Sequence, residues 1–234
     1  LETTMLPWQK LDETTMPGGG PMTLMQRGTE FSVMSGTITL MNSRMSHSEE
    51  QLANLSAQRL GARPAPRILI GGLGLGFTLR AALACFATDS EITVAELVPE
   101  IVQWARGPLS PLHGDSLEDP RVRIHLGDVA TAISAAKPFD AILLDVDNGP
   151  DGLFRPANDR LYNAAGLAAA KAALSPGGHL AIWSSHPDTR FTKRLKQTGM
   201  QVDEITVRAR PNGKGDRHTL WFATRPGQEK PPAT

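Results

Sequence analysis

The segment Ile68-Leu-Ile-Gly71-Gly72-Leu-Gly74-Leu-Gly76-Phe77 constrains the fold of this chain more than any other. A short apolar run that breaks into alternating glycines and then resumes with helix-forming residues reads as a buried strand, a tight turn and a helix start. The same alternation continues along the chain. Apolar runs at 68–70, 92–95, 122–126, 141–144 and 180–183 are each followed by a stretch of helical character, at 77–86, 99–105, 129–136, 159–174 and 188–198. Strand-helix alternation predicts parallel strands with helices on both faces. The last two runs, 201–208 and 218–224, are joined by Pro211-Asn-Gly-Lys-Gly215 with no helix between them. The expected class is therefore α/β, a mostly parallel seven-stranded sheet that ends in an antiparallel hairpin.

Ahead of this domain, 22–26, 31–34 and 37–41 read as three short strands separated by Arg27-Gly28 and Ser35-Gly36, a small antiparallel sheet. Residues 48–60 carry leucines near helical spacing and stop at Gly61, which predicts a helix. The expected organisation is a flexible lead-in over 1–21, the β region over 22–47, the α/β domain over 48–225 and a disordered tail over 226–234. Leu1 opens the chain, so Met5 is the expected native start and 1–4 an appended remnant. Lysines and arginines number 24 against 24 acids, and this balance argues against a phosphate backbone as partner. A single thiol, Cys85, can form neither an internal disulfide nor a cysteine-built metal site, so a reducing, cytoplasmic setting is expected. No apolar run reaches the length of a membrane span.

The glycine spacing narrows the ligand. Gly72, Gly74 and Gly76 make G-x-G-x-G, whereas the dinucleotide fingerprint needs G-x-G-x-x-G and a phosphate loop needs Gly-Lys-Ser/Thr. With Gly71, these residues fit an S-adenosylmethionine site, or else a bare structural turn. The strand ends then supply acids at the edge where open α/β sheets bind ligands. Glu96, followed by Leu97, closes the second strand and can hold both ribose hydroxyls; Gly127-Asp128, followed by Val129, closes the third and can accept the adenine amino group. Asp145 closes the fourth beside the expected sulfonium. Taken one at a time, each acid also reads as an ordinary cap or loop residue.

Together, the N-terminal hairpins, Ser48-Glu-Glu-Gln-Leu-Ala-Asn-Leu55, Arg67-Ile-Leu-Ile-Gly-Gly, Leu79-Arg80, Glu96, Gly127-Asp128 and Phe139-Asp-Ala-Ile-Leu-Leu-Asp145 resemble spermidine synthases. More broadly they resemble the spermidine-synthase-like branch of class I S-adenosylmethionine-dependent transferases. The resemblance implies a Rossmann-like class I methyltransferase fold, a homodimer, S-adenosylmethionine or its decarboxylated form as cofactor, and a small-molecule acceptor. It also places Gln26 on the nucleoside. A carboxylate near the sulfonium can attract an acceptor ammonium, orient it and take or relay its proton, so Asp145 first and Asp147 second are the expected catalytic residues. Glu50, Asn148 and Tyr162 fall about the acceptor.

Three departures shape the functional expectation. The family's glycine-loop aspartate, which grips the aminopropyl amine, falls on Leu75; its polyamine-gripping tyrosine falls on Ser48; and Asn148 replaces the second acid of the loop after the fourth strand. The expected activity is methyl transfer to a small acceptor by in-line attack on the sulfonium, without a metal ion. Aminopropyl transfer to a diamine is the alternative, and a non-catalytic nucleoside-binding protein a third. Trp183 reads as core or pocket floor. Arg208, Arg210, Lys214, Arg217 and His218 read as a solvated basic edge on the final hairpin.

Overall fold

The computed structural model describes residues 6–134, 137–146, 149–150 and 159–227. Two sheets make up the architecture. The first is antiparallel and runs in order through β1 (Gln9–Thr15), β2 (Pro21–Arg27), β3 (Glu30–Ser35) and β4 (Ile38–Asn42). Strand β1 occupies the stretch expected as a lead-in, pairing Gln9 with Gln26 through Thr15 with Pro21. Its sequence, Gln-Lys-Leu-Asp-Glu-Thr-Thr, is almost wholly exposed, and an edge strand with no buried face leaves no apolar alternation to read. Pro17-Gly-Gly-Gly-Pro21 is accordingly a hairpin loop, with φ of +100°, +100° and +90° at Gly18, Gly19 and Gly20.

After α1 (His47–Leu60) comes the seven-stranded sheet: β5 (Arg67–Gly71), β6 (Glu91–Glu96), β7 (Val122–Leu126), β8 (Phe139–Leu144), β9 (Leu174–Ser184), β10 (Gln201–Arg208) and β11 (Arg217–Thr224). The spatial order is β10-β11-β9-β8-β5-β6-β7, parallel from β9 to β7 and antiparallel at β9–β11 and β11–β10. The expected fold class holds. Central strands are apolar through their middle residues because both faces are covered: in β5, Ile68 and Ile70 join one core cluster while Leu69 joins the other.

The helices of this domain are α2 (Phe77–Cys85), α3 (Pro99–Arg106), α4 (Ser110–His113), α5 (Val129–Ile133), α6 (Asp159–Tyr162), α7 (Ala164–Ala173) and α8 (Thr189–Gln197). The helix expected over 159–174 is two. Asn163 interrupts it and caps α7 by accepting the Gly166 N–H at 3.0 Å, a favoured use of asparagine. Strand order reverses between β5 and β8. Gly71 and Asp145 meet at that reversal, the Asp145 N–H donating to the Gly71 carbonyl at 3.0 Å, and such a switch point is where open α/β sheets place ligands.

Candidate active site

A cavity of about 380 Å³ opens over the carboxyl ends of β5, β6, β7 and β8. Among the residues expected in the site, Gly72, Gly74 and Gly76 form one wall. Glu96, Leu97, Gly127, Asp128 and Val129 form a second, and Asp145 stands at the far end. The glycines are explained by close approach within the chain itself. A Cβ on Gly72 would lie 2.6 Å from the Asp145 carbonyl oxygen, and one on Gly76 would lie 2.4 Å from the His113 ring. Positive φ at both positions, +87° and +83°, strengthens the requirement.

Several expected residues fall elsewhere. Gly71 ends β5 beneath the pocket, packed between Leu144 and Val129. Gln26 turns away to donate to the Gly28 carbonyl at 3.0 Å, because the hairpin turn beside it offers a nearer acceptor than the cavity does. Glu50 lies outside the lining. Tyr162 is fully buried in an edge-to-face contact with Phe191, its hydroxyl donating to the Val146 carbonyl at 3.3 Å, so it packs the core under the site. Asp147 and Asn148 lie outside the described residues, as does most of the expected tail.

Glu96 is 7% exposed, and both of its carboxylate oxygens accept backbone N–H groups, Val98 at 2.8 Å and Leu73 at 2.9 Å. Burial raises its pKa, and the amides oppose that shift. These bonds, with further pull from the Gly74 and Leu97 amides, clamp the glycine loop to the end of β6 and hold the carboxylate on the cavity wall. A nucleoside sugar presents two hydroxyl donors, so the residues fit that group. Asp128 accepts the Ala130 N–H at 2.8 Å as the N-cap of α5 and pairs with Arg160.

The far end is differently built, and sequence reasoning missed much of it. Glu49, in the first turn of α1, faces Asp145 across the pocket. Burial pushes the Glu49 pKa up to about 8, the Asp145 charge adds to this, and the Ser48 hydroxyl at 2.5 Å works against it. Asp145 is raised to about 6 by burial, against the Thr78 hydroxyl, which donates to it at 2.7 Å. A helix N-terminus ordinarily favours the ionised carboxylate; here lost solvation and a like charge win. The pair together holds protons more tightly than free carboxylates do and attracts a cation. His218 also reaches this end. It is 8% exposed and lines the cavity beside Trp183, because the β11–β9 pairing places it next to the end of β9. It does not belong to a solvated edge. Among the described residues no group of three His, Cys, Asp or Glu side chains is placed to hold a metal ion.

No family model matches the chain. It is 35% identical over 125 residues to a polyamine aminopropyltransferase from Corynebacterium efficiens, covering 50% of this chain and 22% of that one. A polyamine aminopropyltransferase from Mycobacterium tuberculosis is 32% identical over 124 residues, covering 51% and 23%. Putrescine N-methyltransferase 2 from Nicotiana tabacum is 37% identical over 122 residues, covering 51% and 33%. The matches thus span about a quarter to a third of these relatives' length. Among solved structures, spermidine synthase from Thermotoga maritima superposes with a TM-score of 0.73 at 17% identity, over 93% of this chain and 73% of that one. The O-methyltransferase TomG from Streptomyces achromogenes, solved with S-adenosylmethionine, gives a TM-score of 0.55 at 16% identity, over 77% and 80%. The chain has a spermidine-synthase-like class I methyltransferase fold.

Proposed function

We propose that this chain is an S-adenosylmethionine-dependent transferase that moves a methyl group to a small amine. The observation that carries the choice of methyl is Leu75. It is 5% exposed in the pocket wall between Gly74 and Gly76, the position from which, by the family resemblance, an aspartate would grip an aminopropyl ammonium. A leucine can neither pair with that cation nor accept its hydrogen bonds. Relatives of both kinds support the wider reading, since aminopropyltransferases and putrescine N-methyltransferases both align with the chain.

In this reading Glu96 holds the ribose, Asp128 lies at the base, and the glycine loop lets the backbone approach the nucleoside. The cofactor supplies a methyl carbon already activated by its sulfonium. The protein's task is then to align a nucleophile and keep its lone pair free. Asp145 and Glu49 draw an ammonium ion to the open end of the cavity. Their two carboxylates also favour aminopropyl transfer to a diamine as a second reading.

Calorimetric titration with S-adenosylmethionine and with its decarboxylated form separates the two. Tighter binding of the full methionine tail is expected, and a strong preference for the decarboxylated form overturns methyl transfer. Incubation with putrescine and each donor then identifies the reaction by its products. Methyl transfer leaves S-adenosylhomocysteine and a methylated amine, whereas aminopropyl transfer leaves methylthioadenosine and a longer polyamine.

A further inference from the structure

Three partners converge on the hydroxyl of Ser48, a fully buried residue. Its Oγ lies 2.5 Å from Glu49 Oε2, 2.8 Å from His218 Nδ1 and 3.0 Å from Trp183 Nε1. An indole N–H only donates, so Oγ accepts from Trp183. One hydroxyl hydrogen remains for two neighbours. When Glu49 is ionised it can only accept, Ser48 donates to it, and His218 must carry its hydrogen on Nδ1 and donate to Oγ. The lone pair of His218 then sits on Nε2. When Glu49 is protonated the chain runs backwards: Glu49 donates to Ser48, Ser48 donates to Nδ1, and the imidazole hydrogen moves to Nε2. Both ends of the chain line the pocket that contains Asp145.

We propose that His218 is the base of the transfer and that Ser48 relays its second proton to Glu49. The inference rests on the transferase reading above. The acceptor ammonium gives one proton to His218 Nε2; in the same movement the Nδ1 proton passes to Ser48 Oγ and the Ser48 hydroxyl proton passes to Glu49 Oε2. The freed nitrogen lone pair forms the bond to the methyl carbon, and the carbon–sulfur bond breaks with its electron pair left on sulfur. Imidazole and hydroxyl end neutral, the carboxylate ends as an acid, and the amine leaves as its methylated ammonium. The surroundings favour this resting place. Burial lowers the proton affinity of His218, with His186 reinforcing and Asp216 opposing, while burial, Asp145 and Glu50 raise that of Glu49. The proton therefore comes to rest on the carboxylate and leaves no charge in the buried ring.

Nitrogen-15 NMR of the histidine-labelled full chain, without ligand, tests the relay. His218 is expected to stay neutral while its hydrogen moves from Nε2 to Nδ1 as pH rises through about 8. The change should vanish in Glu49→Gln and in Ser48→Ala, and persist in Ser48→Thr, which keeps the hydroxyl. An unchanging tautomer in the wild type, or the same change in Glu49→Gln, overturns the relay. With a donor and acceptor that turn over, Ser48→Ala should lower kcat about 100-fold, the scale of general-base help, with KM little changed and the alkaline rise in rate lost. Turnover alongside a static tautomer sinks the relay alone. A switching tautomer with no transfer from either donor sinks the catalytic role together with the transferase reading.

Discussion

The two ends of the cavity use the same group, a pocket-lining carboxylate, to opposite effect. At the proposed sugar end Glu96 receives the Leu73 and Val98 amides, and Asp128 receives one amide and the Arg160 guanidinium. At the proposed acceptor end Glu49 and Asp145 receive hydroxyls, from Ser48 and Thr78, and face one another. Amides are fixed in the backbone and cannot reverse, so the first end is rigid and its acids are committed. Hydroxyls turn, so the second end can take up or pass on a proton. Donor type, more than acid type, separates a cradle from a reactive site.

The harshest way to break the contrast is Glu96→Ala. It removes the proposed ribose partner and also leaves the Leu73 and Val98 amides without their acceptor, at about 1–3 kcal/mol for each unpaired buried group. Nucleoside affinity should fall at least ~100-fold by calorimetry, in line with the loss of a two-point charge-assisted contact, and the melting temperature should drop with it.

Glu49→Gln sharpens the contrast from the other end. The Glu49 pKa stands above its unfolded value of 4.5, at about 8, so the native state holds a proton that the unfolded chain releases. Its contribution is fully present below about 4.5 and is lost as pH rises to about 8. The glutamine variant lacks that loss. It should match the wild type at acid pH and exceed it by on the order of 1–3 kcal/mol at alkaline pH, as melting curves across that range would show. A constant difference at every pH would mean that Glu49 is not the proton holder.

The smallest expected effect is that of Asp128→Ala. Loss of one N-cap should cost about 1 kcal/mol, a shift of a few degrees in thermal unfolding. Nucleoside affinity should fall less than ~10-fold, because the cap and Arg160 already occupy that carboxylate. A loss as large as that from Glu96→Ala would place Asp128 on the base as firmly as Glu96 on the sugar.

Much of the first end was legible along the chain. Gly72, Gly74, Gly76, Glu96 and Asp128 there, and Asp145 at the second end, lie at or just past a short apolar run, so strand ends and the acids on them can be read locally. The rest of the second end was not legible in that way. Ser48 and His218 stand 170 positions apart, and nothing local to the final hairpin distinguishes His218 from the exposed cations around it. Glu49 offered a weak signal as an acid in the first turn of a helix, yet its direction toward Asp145 depends on how α1 packs against the sheet. Gln26 differs the other way: its side chain donates to the Gly28 carbonyl of the adjoining turn and lies outside the cavity lining.

Local patterning by itself determined the strands other than β1, most of the helices, the glycine turn and the order in which acids reach the carboxyl edge, because each depends on neighbours a few residues away. Tertiary structure alone decided that β1 joins the first sheet, that Glu49 confronts Asp145, and that one buried hydroxyl links Glu49 to His218. Those outcomes follow from which surfaces lose water together, and burial of that kind is a property of the packed whole.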